Sequence, residues 1–247
     1  MFSRLLSISF LAFFALSSAI LYPMAVVIWL CTIAFDRRLV LLHLFTSFWG
    51  SLYLWTMPAW SVSIEGRHRI RKGVTYVVVS NHQSSVDILV AFRLFFPFKW
   101  VSKAEMFKVP FIGWNLVLNR YIKLKRSDRK GIRKMLEDCE KTLARGSSVY
   151  LFPEGTRSET GEVKRFKPGA FALAKKMKVP ILPIAIIGSK DALPKHSLTI
   201  RGKHHIKVKV LEEIPHDHFA EMPVDELSER VRRRIADEVH ASSDAQT

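Results

Sequence analysis

Thr75-Tyr76-Val77-Val78-Val79-Ser80, running straight into Asn81-His82-Gln83-Ser84-Ser85-Val86-Asp87, is the stretch whose reading decides the fold. Its first six residues are rich in β-branched side chains with no polar alternation, the pattern of a strand buried on both faces. Ser84 and Ser85 then stand where helix N-caps belong, and the spacing predicts a helix over residues 86–96. Asp87 falls in its first turn, where negative charge is favoured. A buried strand that turns at once into a helix points to an α/β layer architecture.

The alternation continues downstream. Residues 121–124 predict a short strand, and Ser127 or Asp128 is placed to cap a helix that runs to residue 144 and stops at Arg145-Gly146. Residues 148–152 read as a strand, 170–177 as a helix, and 181–187 as a strand ending at Gly188. Residues 198–201 and 206–211 predict an antiparallel pair, and residues 224–240 an amphipathic helix packed on the domain, with a frayed end beyond it. No internal repeat or low-complexity tract interrupts the series. The expected fold is α/β, a mixed sheet flanked by helices.

Upstream the chain changes character. No charged residue occurs over 5–35 or over 39–64, and only Asp36-Arg37-Arg38 separates the two stretches. A helix needs about 20 apolar residues to cross a bilayer, so each is long enough. A cleaved signal peptide fits poorly, because the apolar run continues past the small-residue patch Ser17-Ser18-Ala19. The expectation is therefore a two-helix membrane anchor over 1–64 and a folded domain over 65–247. Pro23, Gly50 and Pro58 would let either helix bend into the interface, so a spanning and a re-entrant hairpin both stay open.

Charge is as uneven as hydropathy. The chain has 38 Lys and Arg against 22 Asp and Glu, a formal +16, and all but three of the basic residues follow residue 64. Arg67-His68-Arg69-Ile70-Arg71-Lys72, directly after the second apolar stretch, favours a cytoplasmic face on the inner membrane. Such a surface suits anionic lipid. Nucleic acid is not expected, since the basic residues lack interleaved aromatics and the chain is anchored. Cys31 and Cys139 make neither a disulfide framework nor a metal spacing. Nothing completes a metal site around His204-His205 or around His216 and His218, so no metal is expected.

Two loops, each following a buried strand, carry the chemistry: residues 81–85 and 153–158. Ligands in open α/β sheets collect beyond the carboxyl ends of strands, which makes the loops candidates for one site. The His82–Asp87 spacing lets a helix turn its carboxylate back onto the imidazole. That would fix the tautomer and leave the other nitrogen free to take a proton from a hydroxyl. The plainer alternative is that Asp87 only caps the helix. A protein nucleophile at Ser84 or Ser85 is disfavoured, because there is no G-x-S-x-G elbow and both serines sit at capping positions. In the second loop, Arg157 offers a planar fork for a phosphate, while Gly155 allows close backbone approach and Glu154 and Thr156 add polar groups. By composition alone, a surface turn with an ion pair explains it better. A basic run from Arg120 to Lys134 would face lipid headgroups, with one or two members turned to the site.

Taken together, these segments resemble the glycerolipid acyltransferases, in particular the 1-acyl-glycerol-3-phosphate acyltransferases. Asn81-His82-Gln83-Ser84-Ser85-Val86-Asp87 looks like their N-H-x4-D block, and residues 152–158 (Phe-Pro-Glu-Gly-Thr-Arg-Ser) look like their F-P-E-G-T-R-S block. Residues 107–114 with 121–126 are similar to a middle block, and residues 179–183 to a proline-containing fourth. The resemblance covers about residues 74–188. It implies His82 as general base and Asp87 as its partner, with Glu154 and Arg157 helping to bind the phosphate and glycerol of a lysophospholipid acceptor. Arg126 and Lys103 would add positive charge. It also implies acyl-CoA or acyl-carrier protein as co-substrate, and no other cofactor. One position departs from the pattern: Lys125, where the family usually has an acidic residue before its Arg, lies in the block that implies acceptor contact.

Overall fold

The valine run lies at the centre of the sheet. The computed structural model describes residues 2–126, 128–193 and 202–244. Its seven strands are β1 (Trp60–Glu65), β2 (Val77–Ser80), β3 (Phe98–Lys103), β4 (Ile122–Leu124), β5 (Ser148–Leu151), β6 (Ile181–Ile187) and β7 (His204–Val210), in the order β1-β7-β6-β2-β5-β3-β4. The five strands from β6 to β4 are parallel; β7 runs antiparallel to β6 and parallel to β1. Every residue of β2, β5 and β6 is buried, as strands covered on both faces require.

The faces follow the two-residue period of the strands. Val77 and Val79 join a core with α5 (Arg129–Ala144), α6 (Gly169–Met177) and α7 (Val224–Asp244), whereas Tyr76 and Val78 join a second core with α2 (Val40–Thr56) and α3 (Val86–Phe92). The mixed α/β sheet with flanking helices is thus present, with Asp128 capping α5 through the N–H of Gly131. Ser127 and the expected strand 198–201 lie outside the described residues. Strand β7 takes β6 and β1 as its neighbours.

Some boundaries move. The helix expected over 86–96 ends at Phe92, because Phe95 takes a positive φ of 47° and Pro97 follows. Strand β3 was not apparent in the sequence, since Lys99 interrupts its apolar run, yet that lysine is 6% exposed. Strand β1 begins at Trp60, so the division drawn after residue 64 falls inside a strand of the sheet.

The two apolar stretches form α1 (Phe2–Thr32) and α2, joined by a turn at residues 33–39. They are unequal. Residues Leu6–Thr32 of α1 are long and apolar enough to cross a membrane, with a mean hydropathy of 2.2. Helix α2 has 17 residues and spans roughly 25 Å, short of a ~30 Å hydrocarbon core. Its inner face is also polar and bonded to the body of the protein. His43 donates from Nε2 to the Phe96 carbonyl (2.9 Å) and accepts at Nδ1 from the Tyr121 hydroxyl (2.8 Å). Thr46 accepts from the side-chain amides of Asn115 and Asn119, on and just after α4 (Ile112–Leu118).

Ser17 and Ser18 lie where the two helices pack. Each sits 3.1 Å from the Tyr53 hydroxyl, which also accepts from Trp49 Nε1 at 2.6 Å. Small side chains let the helices approach, and the hydroxyl satisfies a buried indole N–H. Tyr53→Phe strands that N–H at a cost of about 1–3 kcal/mol. The expected result is a lower thermal unfolding midpoint in detergent; an unchanged midpoint would remove this cluster as the clamp between α1 and α2.

Candidate active site

Strands β2 and β5 are parallel neighbours, with Val79 opposite Leu151, so the chain leaves both at the same edge of the sheet. This brings loop 81–85 against loop 152–158. Asn81 anchors the first loop by exchanging two side-chain bonds with Ile186 of β6, to its carbonyl at 2.7 Å and from its N–H at 2.8 Å. The second loop turns where the Gly155 N–H donates to the Phe152 carbonyl at 3.0 Å. Gly155 has φ 74°, a conformation that glycine adopts without steric cost.

At the meeting point, His82 Nδ1 lies 2.8 Å from Asp87 Oδ2. The same oxygen accepts from the backbone N–H of Gln83 (2.7 Å) and of Ser84 (2.8 Å). Asp87 is fully buried, while the His82 side chain retains 12% exposure. An ionised carboxylate only accepts, so the imidazole proton resides on Nδ1 and Nε2 carries the lone pair. The His82 ring stacks on Phe152 at 3.9 Å between centroids and 14° between planes. Its rotation is thereby fixed by a bond on one edge and a ring on one face.

Glu154 braces the histidine's main chain. Its Oε1 accepts from the His82 N–H at 2.7 Å and its Oε2 from the Lys164 N–H at 3.2 Å, while the Ser158 N–H donates to the His82 carbonyl at 2.7 Å. Both oxygens of Glu154 are thus engaged by the backbone, and the residue is 5% exposed. Burial raises its carboxyl to about 7, against the opposing pull of those two N–H bonds.

Arg157 is half-buried and donates from Nη1 to the Ser85 hydroxyl at 2.9 Å, which joins the two loops across the site. This also corrects the capping role expected of Ser85, which makes no cap bond. Ser84 accepts from the Val86 N–H and donates to the Leu193 carbonyl, so its hydroxyl is engaged. Thr156 is exposed beside Arg157. Lys103 and Arg126 lie at the ends of β3 and β4, on the same edge but two and three strands from β2, roughly 10 and 14 Å along the sheet. Among the described residues neither bonds to the two loops, and Arg126 is drawn instead by the charge of Glu105. The histidines considered for metal have other tasks: His205 lies between the Ser61 and Ser63 hydroxyls, and His216 packs on Phe219.

Two participants were not singled out from the sequence. Phe152 closes a strand pattern and opens the F-P-E-G-T-R-S block without a role of its own, and Lys164 lies outside both loops. Lys164 also donates from Nζ to the Arg157 carbonyl at 3.1 Å, closing the loop on itself. Its place ten residues beyond Glu154, in a basic run, gave no local signal.

His82, with one nitrogen held by a buried carboxylate, and Arg157, bonded to Ser85, thus lie on two loops at one edge of the sheet. The chain belongs to the acyltransferase family, whose model, described as Acyltransferase, matches residues 61–187. A 1-acyl-sn-glycerol-3-phosphate acyltransferase of Chlamydomonas reinhardtii is 33% identical, over 95% of this chain and 69% of that protein. The human 1-acyl-sn-glycerol-3-phosphate acyltransferase alpha is 34% identical, over 80% of this chain and 67% of its own length. The crystal structure of the 1-acyl-sn-glycerophosphate acyltransferase PlsC from Thermotoga maritima superposes with a TM-score of 0.81, covering 98% of this chain and 96% of that one. At 24% identity, this last likeness is one of fold.

Two outcomes are expected here. Asp87→Asn frees the His82 tautomer and lowers kcat by roughly 10²–10⁴-fold with the fold retained by circular dichroism; wild-type turnover would remove Asp87 from the dyad. Glu154 stabilises most below its unfolded value of 4.5, and this contribution is lost as pH rises through about 7. The wild-type unfolding midpoint should therefore fall relative to that of Glu154→Gln between pH 4.5 and 7, and parallel curves would contradict the assignment.

Proposed function

We propose that this acyltransferase moves a fatty acyl chain from a thioester to the sn-2 hydroxyl of 1-acyl-glycerol 3-phosphate, giving phosphatidic acid, with His82 as the general base. The observation that carries the reading is the His82–Asp87 pair, 2.8 Å apart, set against the loop that holds Arg157. The names of relatives that align over most of the chain support the acceptor. Nε2 takes the hydroxyl proton as the oxygen attacks the thioester carbonyl. The tetrahedral intermediate collapses, the carbon–sulfur bond breaks, and the thiolate leaves with a proton available from the imidazolium. Asp87 stabilises that imidazolium through the Nδ1 bond.

Arg157 suits the acceptor's phosphomonoester, because its Nη1 bond to Ser85 uses only part of a guanidinium fork. Lys103 and Arg126, farther along the same edge, provide a longer-range positive field. The donor is acyl-CoA or acyl-carrier protein. Both are water-soluble and anionic, and both suit a catalytic domain facing the cytoplasm with the acceptor drawn from the membrane that α1 engages. The carrier protein is acidic and would meet the basic face. Direct attack by the acceptor is favoured over an acyl-serine intermediate, since the Ser84 hydroxyl is consumed by backbone bonds and the Ser85 hydroxyl by Arg157.

The test is a panel of lyso-acceptors assayed with both donor types on membranes. Highest turnover with the phosphomonoester is expected, and equal use of acceptors that lack it would overturn the assignment. In the same assay, His82→Ala should abolish turnover by several orders of magnitude with membrane association unchanged. Arg157→Ala should act mainly on the KM for the acceptor. Initial rates should give intersecting, sequential patterns; a trapped acyl-enzyme on either serine would replace the direct mechanism.

A further inference from the structure

At the edge of the sheet opposite His82, where β3 and β5 begin, a cavity of about 20 Å³ is lined by Arg38, Val40, His43, Phe98, Lys99 and Ser147, among others. Lys99 is 6% exposed, and its Nζ has no hydrogen-bond partner among the described residues. An ammonium carries three donors and accepts nothing, so burial leaves it in need of acceptors.

The neighbours do not supply them. Both nitrogens of His43 are engaged, by Tyr121 and by the Phe96 carbonyl. The Tyr121 ring lies 5.9 Å from Nζ. Asp36 attracts Lys99 from the turn between α1 and α2, but its Oδ2 already accepts from the Leu41 N–H, and Arg120 repels it. Arg38, from the same turn, donates one Nη1 bond to the Gly146 carbonyl at 2.9 Å and has further N–H groups beside the cavity. Two cations, Lys99 and Arg38, thus line this space, and the carboxylate that attracts the lysine, Asp36, is not among its lining residues. A cavity of this size admits one water-sized occupant.

We propose that this cavity is a binding site for a single small monovalent anion of halide size, held by the Lys99 ammonium and the Arg38 guanidinium. The anion satisfies the buried lysine and, through Arg38, ties the α1–α2 turn to the base of β3 and β5. Burial, helped by the charge of Arg120 and opposed by that of Asp36, lowers the lysine to about 8, and an anion beside it would raise that value again. The site is separate from the His82 loops, which lie at the other ends of the same strands.

The full chain, purified in a non-ionic detergent, is unfolded thermally during titration with bromide or chloride, against gluconate at constant ionic strength. A halide-specific rise of about 5 °C is expected at a hundredfold excess over Kd. Lys99→Met should lose the halide-specific rise; if that variant does not fold, Arg38→Ala should reduce it. Bromide-grown crystals of the wild-type protein should show an anomalous peak within the cavity. Equal midpoints in halide and gluconate, or a variant with the full halide response, would overturn the site and leave a water as its occupant.

Discussion

One oxygen, Oδ2 of Asp87, organises the catalytic end of this protein. Three N–H groups converge on it: His82 Nδ1 and the backbones of Gln83 and Ser84. Burying a carboxylate costs several kcal/mol, and the converging donors offset that cost only while the loop keeps its turn. The interaction therefore closes the strand-to-helix turn and orients the His82 ring in the same stroke. A loop that opened would lose the tautomer control and expose the carboxylate's unmet demand together. Catalytic geometry and local stability are in this way one constraint.

The second loop completes this from outside. Glu154 is also a buried carboxylate turned toward backbone N–H groups, and it takes that of His82 itself. With Phe152 on the ring face and Ser158 on the carbonyl, the histidine is held at its main chain and its side chain. Both acidic groups of the site are buried, while the cation Arg157 is half-buried and bonds across the loops to Ser85.

The N-terminal helices are part of this body, and α1 is also long and apolar enough to cross a membrane. Helix α2 carries an inner face of His43, Thr46 and Tyr53 bonded to the rest of the chain, and an outer face with Leu41, Phe48 and Trp55 exposed. Helix α1 exposes Leu16, Ile20, Val27 and Leu30, and Trp114 and Val117 continue the apolar surface near α4. Exposed apolar side chains in this number mark a surface that meets something apolar.

Much of this was legible in the residues themselves. The valine run announced a central buried strand because no polar residue divides it, whereas the spacing of His82 and Asp87 allowed a dyad or a helix cap equally and only the resemblance favoured the first. The strand at residues 60–65 stayed hidden because its apolar residues merge with those of the stretch before it, and β3 because Lys99 breaks its pattern. Local sequence therefore determined which groups were available and which segments carry them. Only tertiary structure decided where they lie: that Glu154 meets the His82 backbone, that Ser85 meets Arg157 rather than a helix end, and that Lys103 and Arg126 stand two and three strands from β2. Each of these depends on which strands lie side by side. Strand order is a property of how two cores close over one sheet, and no window of sequence contains it.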